Sequence, residues 1–182
     1  MLPPGHIAAG FLTSVALVKL TNSSAEVSNI NQFYLWGMFW GFAPDFDNFL
    51  AFYRMKSWWY KQGSDGGMHR KFYSHIPVLW LLVGVLAYVL APSAYWKTMA
   101  LLMLFGSFSH FLLDSIEFGV KWLWPFSERL YALKNAGVNK EIRAEGFLNF
   151  WFSFLLLYKT RPTFFLELLV IASALIVFSI FI

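Results

Sequence analysis

Long apolar stretches occupy most of this chain and restrict its possible folds more than any other feature. Residues 32–53, 76–91, 95–118 and 163–182 are apolar, over lengths close to the roughly 20 residues that a helix needs to cross a bilayer. Because the bilayer core offers no water, the backbone amides of such stretches must be paired within the protein, and a helix achieves this. The chain is therefore predicted to be an all-α integral membrane protein.

The composition agrees with this prediction. Hydrophobic residues make up 58% of the 182 residues and charged residues only 13%, whereas soluble domains carry about 25% charged residues. Aromatic residues reach 21%, and nine of them are Trp, which suits helices anchored at two membrane interfaces. No Cys is present, so the sequence excludes disulfides and thiolate metal ligands.

Two shorter apolar segments leave the number of spans open. Residues 7–20 are short for a span. Residues 147–157 are too few to cross, so they are interpreted as an interfacial or re-entrant segment. Pro44 is expected to kink or end the second span. The predicted architecture is a single transmembrane domain over 1–182, a bundle of about five transmembrane helices, with four as the alternative.

The basic residues predict the orientation of the bundle. With five spans, twelve Lys and Arg residues fall on the side that holds the N-terminus and the loops 54–75 and 119–162, and only Lys19 and Lys97 fall on the other. Basic loops remain cytoplasmic, so the basic side is expected in the cytoplasm and the C-terminus outside. The excess of four positive charges is interpreted as this orientation signal, and no nucleic-acid partner is expected.

Ionisable residues lie inside or beside the predicted spans, where each costs about 2.5–3.5 kcal/mol on insertion scales and therefore usually has a function. By the predicted topology, four separate segments bring His and Asp to the cytoplasmic face. These side chains suit zinc and similar divalent ions. Glu117 is expected to be structural or to orient a ligand, and Glu167 to lie at the interface. The predicted metal ligands are His6, Asp45, His69, His75, His110 and Asp114.

The spacing of these residues adds two details. His110 and Asp114 are four residues apart, so their side chains point to the same side of a helix. Asp45 and Asp47 are two residues apart and share a helical face poorly. Either the helix loosens at Pro44 so that both turn inward, or one Asp binds the metal and the other orients a histidine.

Each signal also has a structural interpretation when it is taken alone. The His110–Asp114 pair suits a buried hydrogen bond, and the PDFD segment suits a helix terminus with a capping Asp. His69 and His75 flank basic residues and suit contacts with lipid headgroups. The convergence of all these residues on one membrane face favours the metal site.

The order of the motifs resembles the YdjM-like family, described as LexA-regulated, membrane-bound, metal-dependent hydrolases. The resemblance covers a core at 1–131, whereas 132–182, which holds the interfacial segment and the last span, matches only in hydrophobicity. It implies a location in the bacterial inner membrane. The matching stretches read PPGHIAAG at 3–10, APDFD at 43–47, HRKFYSH at 69–75 and SHFLLDSIEFGVKWLWPFSERLY at 109–131.

This motif order is also similar to a reduced form of the zinc phospholipase C and P1 nuclease pattern. Asn48 stands where the YdjM-like family often has His. Lys71 replaces a Gly of that family between two histidines, so which of the two binds the metal stays open. The implied cofactor is one or two divalent ions, with zinc as the first candidate. The implied ligands are His6, Asp45, His69 or His75, His110 and Asp114.

The resemblance implies a metal-dependent hydrolase that cleaves a phosphoester. Because the site is expected at helix ends on the cytoplasmic membrane face, the predicted substrate is a lipid or a lipid-linked molecule. The expected partners are the lipid bilayer and this substrate. Arg70 is expected to hold the phosphate through its guanidinium fork, and Asp47 to act as general base or to orient a ligand. Two rival hypotheses stay open. One is an ion or metal transporter, because intramembrane His and Asp also mark ion paths, and the other is a structural protein held together by its metal.

Overall fold

The computed structural model describes residues 1–21, 30–58, 70, 72–134, 142 and 144–181. The prediction of an all-α chain is confirmed over these residues, in which Val120 and Tyr131 form an isolated antiparallel bridge. Short 3-10 helices at Ala43–Phe46 and Tyr73–His75 precede the third and fourth α-helices. The α-helices are α1 (Pro3–Leu20), α2 (Asn31–Phe42), α3 (Asp47–Met55), α4 (Pro77–Leu90), α5 (Ala94–Asp114), α6 (Phe147–Tyr158) and α7 (Pro162–Phe181).

Helices α1 and α2 cross at very short range because small residues line both contact surfaces. A Cβ added to Gly41 would lie 2.5 Å from the His6 carbonyl oxygen. One added to Gly10 would lie 2.2 Å from the Gly37 carbonyl oxygen. Gly37 and Gly41 form a GxxxG pair, the spacing that lets membrane helices bring their backbones together. The contact places the first turn of α1, which carries His6, against the end of α2.

The second predicted span is broken in the middle. Helix α2 ends at Phe42, a 3-10 turn covers Ala43–Phe46, and α3 begins at Asp47. This agrees with the expectation for Pro44, which has no amide hydrogen and clashes with the preceding helical turn. As a result, Asp45 lies in the turn between two helices, where its side chain is buried.

Two helices in the described part of the chain, Ala94–Asp114 and Pro162–Ile180, are long and apolar enough to cross a membrane. Helices α4 and α6 are apolar but hold only 14 and 12 residues, fewer than the roughly 20 that a span needs. Helix α5 ends at Asp114 rather than at 118, because the chain turns there towards Gly119, whose φ of 90° favours glycine. The number of five spans stays a prediction.

Two apolar clusters hold the helices together. The larger one joins α1, α2, α5 and α7, with Phe11, Phe33 and Leu102 buried in it. The smaller one is built on α6, with Phe150 and Phe154 buried. Helix α7 packs against α1, so the last predicted span belongs to the same bundle as the helices that carry the motifs.

Candidate metal centre

Five side chains of the predicted ligand set converge in one buried region. They come from separate segments of the chain, namely α1, the two 3-10 turns and the C-terminal end of α5. None is more than 6% exposed, so these polar groups have lost the water that would otherwise satisfy them. The five are His6, Asp45, His75, His110 and Asp114.

His110 lies at the centre of this cluster. Its Nδ1 atom lies 3.0 Å from the Gly41 carbonyl oxygen, and because a carbonyl only accepts, Nδ1 carries the hydrogen and donates it. The Nε2 atom of the neutral ring is then free to act as a ligand. It lies 3.3 Å from His75 Nε2, 3.8 Å from Asp45 Oδ1 and 3.7 Å from Asp114 Oδ2.

The His75 ring is oriented in the same way. Its Nδ1 atom lies 2.7 Å from Asp47 Oδ2, to which it donates, and the Ser74 hydroxyl donates to the same oxygen at 2.5 Å. The Nε2 atom of His75 therefore faces the cluster, 3.6 Å from Asp45 Oδ1. It also faces the Nε2 atom of His110, and two such lone pairs repel unless a proton or a cation lies between them.

The distances among His75, His110 and Asp45 suit a bound cation. At metal–ligand distances of about 2.0–2.1 Å and tetrahedral angles, ligand atoms lie about 3.3–3.4 Å apart. The separations of 3.3, 3.6 and 3.8 Å are close to this value. Burial lowers the pKa of His75, but the neighbouring carboxylates of Asp45 and Asp47 outweigh burial and raise the pKa to about 9. The surroundings of this imidazole thus favour a positive charge.

His6 and Asp114 form a second group on the other side of His110. The His6 ring stacks on the His110 ring with centroids 3.7 Å apart, and its Nε2 atom lies 3.3 Å from Asp114 Oδ1. Among the described residues, neither ring nitrogen of His6 has a hydrogen-bond partner, which is costly for a buried imidazole. Asp114 is also approached by Arg70 Nε at 3.4 Å and by the Met1 ammonium group at 2.7 Å.

The donor set therefore fits a divalent cation. Each of two triads places three ligand atoms within 4.8 Å of one another. Imidazole nitrogens and carboxylate oxygens are ligands that zinc and similar divalent ions accept. Both triads include His110. Because its Nδ1 atom donates to Gly41, only Nε2 can bind an ion, and a second ion would lack this ligand. The triads are His6 with His110 and Asp114, and Asp45 with His75 and His110.

A known family matches this chain from residue 1 to residue 182, and its members are described as YdjM inner membrane proteins. The chain belongs to the YdjM family. The match extends beyond residue 131 and includes 132–182, where the sequence resembles the family only in hydrophobicity. It also supports a location in the inner membrane. No curated protein and no solved structure matches the chain.

The structure separates the roles of several predicted site residues in this YdjM-family chain. Asp45 faces the cluster in the position of a ligand, whereas Asp47 contacts His75 from the far side, in the position of a residue that orients a ligand. Arg70 is buried beside the cluster. His69 lies outside the described residues, so its part in metal binding stays a prediction.

Glu167 has a role at the metal centre that the sequence interpretation missed. Its carboxylate accepts hydrogen bonds from the amides of Leu2 and Gly5 at the start of α1, at 3.3 and 3.1 Å, and from the Tyr158 hydroxyl. Glu167 was expected at the interface, and its depth in the membrane stays a prediction. In the structure its side chain is buried and lies at the N-terminal end of α1, where a negative charge is stabilising. It thereby fixes the turn that carries His6.

Replacing Asp47 by asparagine is expected to weaken cation binding by about ten- to a hundredfold, the usual effect of losing a partner that orients a ligand. Asp45→Asn should weaken it more, because that change removes a charged group from the cluster itself. Competition with a chromophoric chelator in detergent gives both affinities. Equal losses in the two variants would contradict the separate roles that we assign.

Proposed function

We propose that this protein is a membrane-bound, metal-dependent hydrolase that cleaves a phosphoester of a lipid or lipid-linked substrate at the cytoplasmic membrane face. The observation that carries the proposal is a buried cluster of imidazole and carboxylate ligands beside the guanidinium group of Arg70. Metal-assisted phosphoester hydrolysis uses a cation-binding site and a positive group that holds the phosphate. Membership of a family of inner membrane proteins supports the membrane location.

The protein groups would hold and orient one divalent cation, zinc being the first candidate, at His75, His110 and Asp45. When bound, such a cation lowers the pKa of a coordinated water and polarises the phosphoryl oxygen. Asp47 keeps the His75 ring in the tautomer that presents Nε2 to the cluster. The Gly41 carbonyl does the same for His110. The His110 ring is therefore prepared as a ligand, and His75 would release its Nε2 proton when a cation binds.

Arg70 is suited to bind the phosphate. Its Nε atom contacts Asp114 Oδ2 at 3.4 Å, and its guanidinium carbon lies 4.3 Å from the centre of the Phe118 ring. These two contacts hold the guanidinium plane beside the cluster, and Arg70 lines the same cavity as Asp45. Its remaining N–H groups can then bind the oxygens of a phosphate in that cavity in a forked geometry.

A hydrolysis assay tests the proposal. Detergent-purified protein loaded with zinc or manganese is incubated with a phosphomonoester, a phosphodiester and a phospholipid in mixed micelles. We expect the wild type to cleave at least one class and Asp45→Asn to lose about a hundredfold or more of this activity. Glu128→Gln makes the same chemical change at an exposed carboxylate and should retain it.

Other results, from this assay and from a flux assay, would favour the rival functions. Absence of hydrolysis by metal-loaded wild-type protein on all three substrates contradicts the proposal. Cation flux into proteoliposomes would then favour a transporter. Bound metal without hydrolysis or flux would favour a structural ion that connects the helices.

The proposal includes a topology of five membrane-crossing segments, with the site in the cytoplasm and the C-terminus outside. Because the chain has no Cys, single cysteines report sidedness without background. A membrane-impermeant maleimide added to intact cells is expected to label Lys97→Cys but not Lys159→Cys, since the basic loops stay inside. Labelling of Lys159→Cys alone would reverse the proposed orientation.

A further inference from the structure

A cavity of about 190 Å³ opens beside the metal centre. Asp45, Asn48 and Arg70 are the polar side chains that line it, and aromatic side chains make up most of the remaining wall, among them Phe52, Phe118 and Phe154. The cavity therefore combines charged groups of the site with an apolar wall. A few polar groups in a mostly apolar wall are the usual design of a small-molecule site.

Helix α6 forms one side of this cavity. Phe150, Phe154 and Tyr158 recur every four residues and are buried, so this stripe faces the protein. The opposite side of the helix is apolar as well, and Leu148 and Phe152 are exposed on it. A helix of 12 residues is about 18 Å long and does not cross a bilayer. Helix α6 therefore has two apolar faces, one towards the protein and the cavity and one exposed on its outer side.

We propose that this cavity binds one hydrocarbon chain of the substrate, with the phosphate at Arg70 and the cation ligands. This proposal rests on the hydrolase function proposed above. The charges determine the orientation, because the guanidinium group and a bound cation attract an anionic headgroup while the aromatic wall accepts the chain. The substrate class is then an amphiphile whose phosphate stands at the end of a hydrocarbon chain.

The size of the cavity suits a single hydrocarbon chain. Pockets that enclose a drug-sized molecule measure about 300–1,000 Å³, and the 190 Å³ found here is smaller. The part of the chain that exceeds the cavity stays in the bilayer beside α6. Wall residues on α3 and α6 would therefore determine which chains are accepted.

Phe52 of α3 is the wall residue best suited to a test. It is half-buried, and its ring lies 6.4 Å from that of Trp151 and 6.1 Å from that of Trp58, measured between centroids. Phe52→Trp would extend a larger ring system into the cavity without adding charge. Phe49 also lines the cavity and is 55% exposed. Phe49→Trp therefore provides a second variant with a larger wall residue if Phe52→Trp does not fold.

The experiment measures ligand retention by native mass spectrometry of the full chain in detergent. The probes are oleoyl lysophosphatidic acid, glycerol 3-phosphate, which lacks the hydrocarbon chain, and monoolein, which lacks the phosphate. We expect the wild type to retain one lysophosphatidic acid molecule per chain and to retain the other two probes more weakly. Phe52→Trp should lower retention by about tenfold, as overfilling a packed site does.

A matched control makes the outcome decisive. Phe165→Trp is the same substitution on α7, at a side chain that is 59% exposed and is not among the residues lining the cavity, and it should retain the probe as the wild type does. Equal retention in Phe52→Trp and Phe165→Trp, at equal bound cation, would overturn the chain site. Chain binding that depends on Phe52 in a protein that hydrolyses nothing would instead refute the enzyme and leave the chain site standing.

Discussion

Replacing His110 by alanine is expected to weaken cation binding by more than about a hundredfold, beyond the range seen when only an orienting partner is lost. His110 is the one residue shared by the two candidate triads, so this change removes a ligand from both. The ring is also held by the Gly41 carbonyl and is buried, so no solvated side chain nearby can replace it. Elemental analysis of detergent-purified protein gives the metal content per chain.

The matched control for this change is the preceding residue on the same helix. The Ser109 hydroxyl donates to the Gly106 carbonyl within α5 and is not among the candidate ligands, so Ser109→Ala should retain the wild-type metal content. If His110→Ala and Ser109→Ala bind equal amounts of metal, any bound cation lies elsewhere. The assignment of the cluster as a metal centre would then be wrong.

Replacing Gly41 by alanine is expected to lower the free energy of unfolding by about 3 kcal/mol or more, at the upper end of the usual effect of overpacking. The added Cβ would lie 2.5 Å from the His6 carbonyl oxygen and 2.8 Å from Gly10 Cα. Both neighbours are backbone atoms, so α1 and α2 must separate. Because α1 carries His6 and the Gly41 carbonyl holds His110, the same change should also weaken cation binding.

Gly84→Ala separates this effect from the general cost of replacing a helical glycine. A Cβ on Gly84 would lie 3.1 Å from Leu104 Cβ, a side-chain contact rather than a backbone contact. The melting temperature and the metal content of Gly84→Ala should therefore remain much closer to the wild-type values than those of Gly41→Ala. Similar losses in Gly41→Ala and Gly84→Ala would show that the close approach of α1 and α2 does not position the centre.

The length of the apolar stretches and the motif spacing were sufficient to predict the helical class and one part of the site. The spacing of His110 and Asp114 places both side chains on one face of α5, as expected for residues four apart, and both lie in the cluster. The break at Pro44 also followed from local chemistry, because proline cannot continue the hydrogen bonds of a helix. These features depend on neighbours in sequence.

Contacts between distant segments could not be predicted in this way. Asp45 and Asp47 are equivalent by residue type, and only the position of His75 relative to the 3-10 turn separates a ligand from an orienting residue. The contacts of Glu167 could not be predicted, because the amides that donate to it, at the start of α1, lie at the opposite end of the sequence. Glu117, expected to be structural or to orient a ligand, accepts hydrogen bonds from the amide and the hydroxyl of Thr163.

One missed feature did carry a signal in the sequence. Gly37 and Gly41 have the GxxxG spacing of close helix contacts in membranes, and Gly10 and Ser14 have the related spacing of small residues on α1. A search for small residues four apart would have predicted that these two helices pack tightly. The identity of the paired helices still required the structure.

X-ray absorption spectroscopy of the wild-type protein with its bound metal tests the central claim most directly. The account predicts a first shell of nitrogen and oxygen at about 2.0–2.1 Å, as zinc has with His and Asp, together with the outer-shell scattering of at least two imidazole rings. A shell of oxygen alone without imidazole scattering, or a folded protein that binds no divalent metal after reloading, would contradict a metal centre built on His75 and His110.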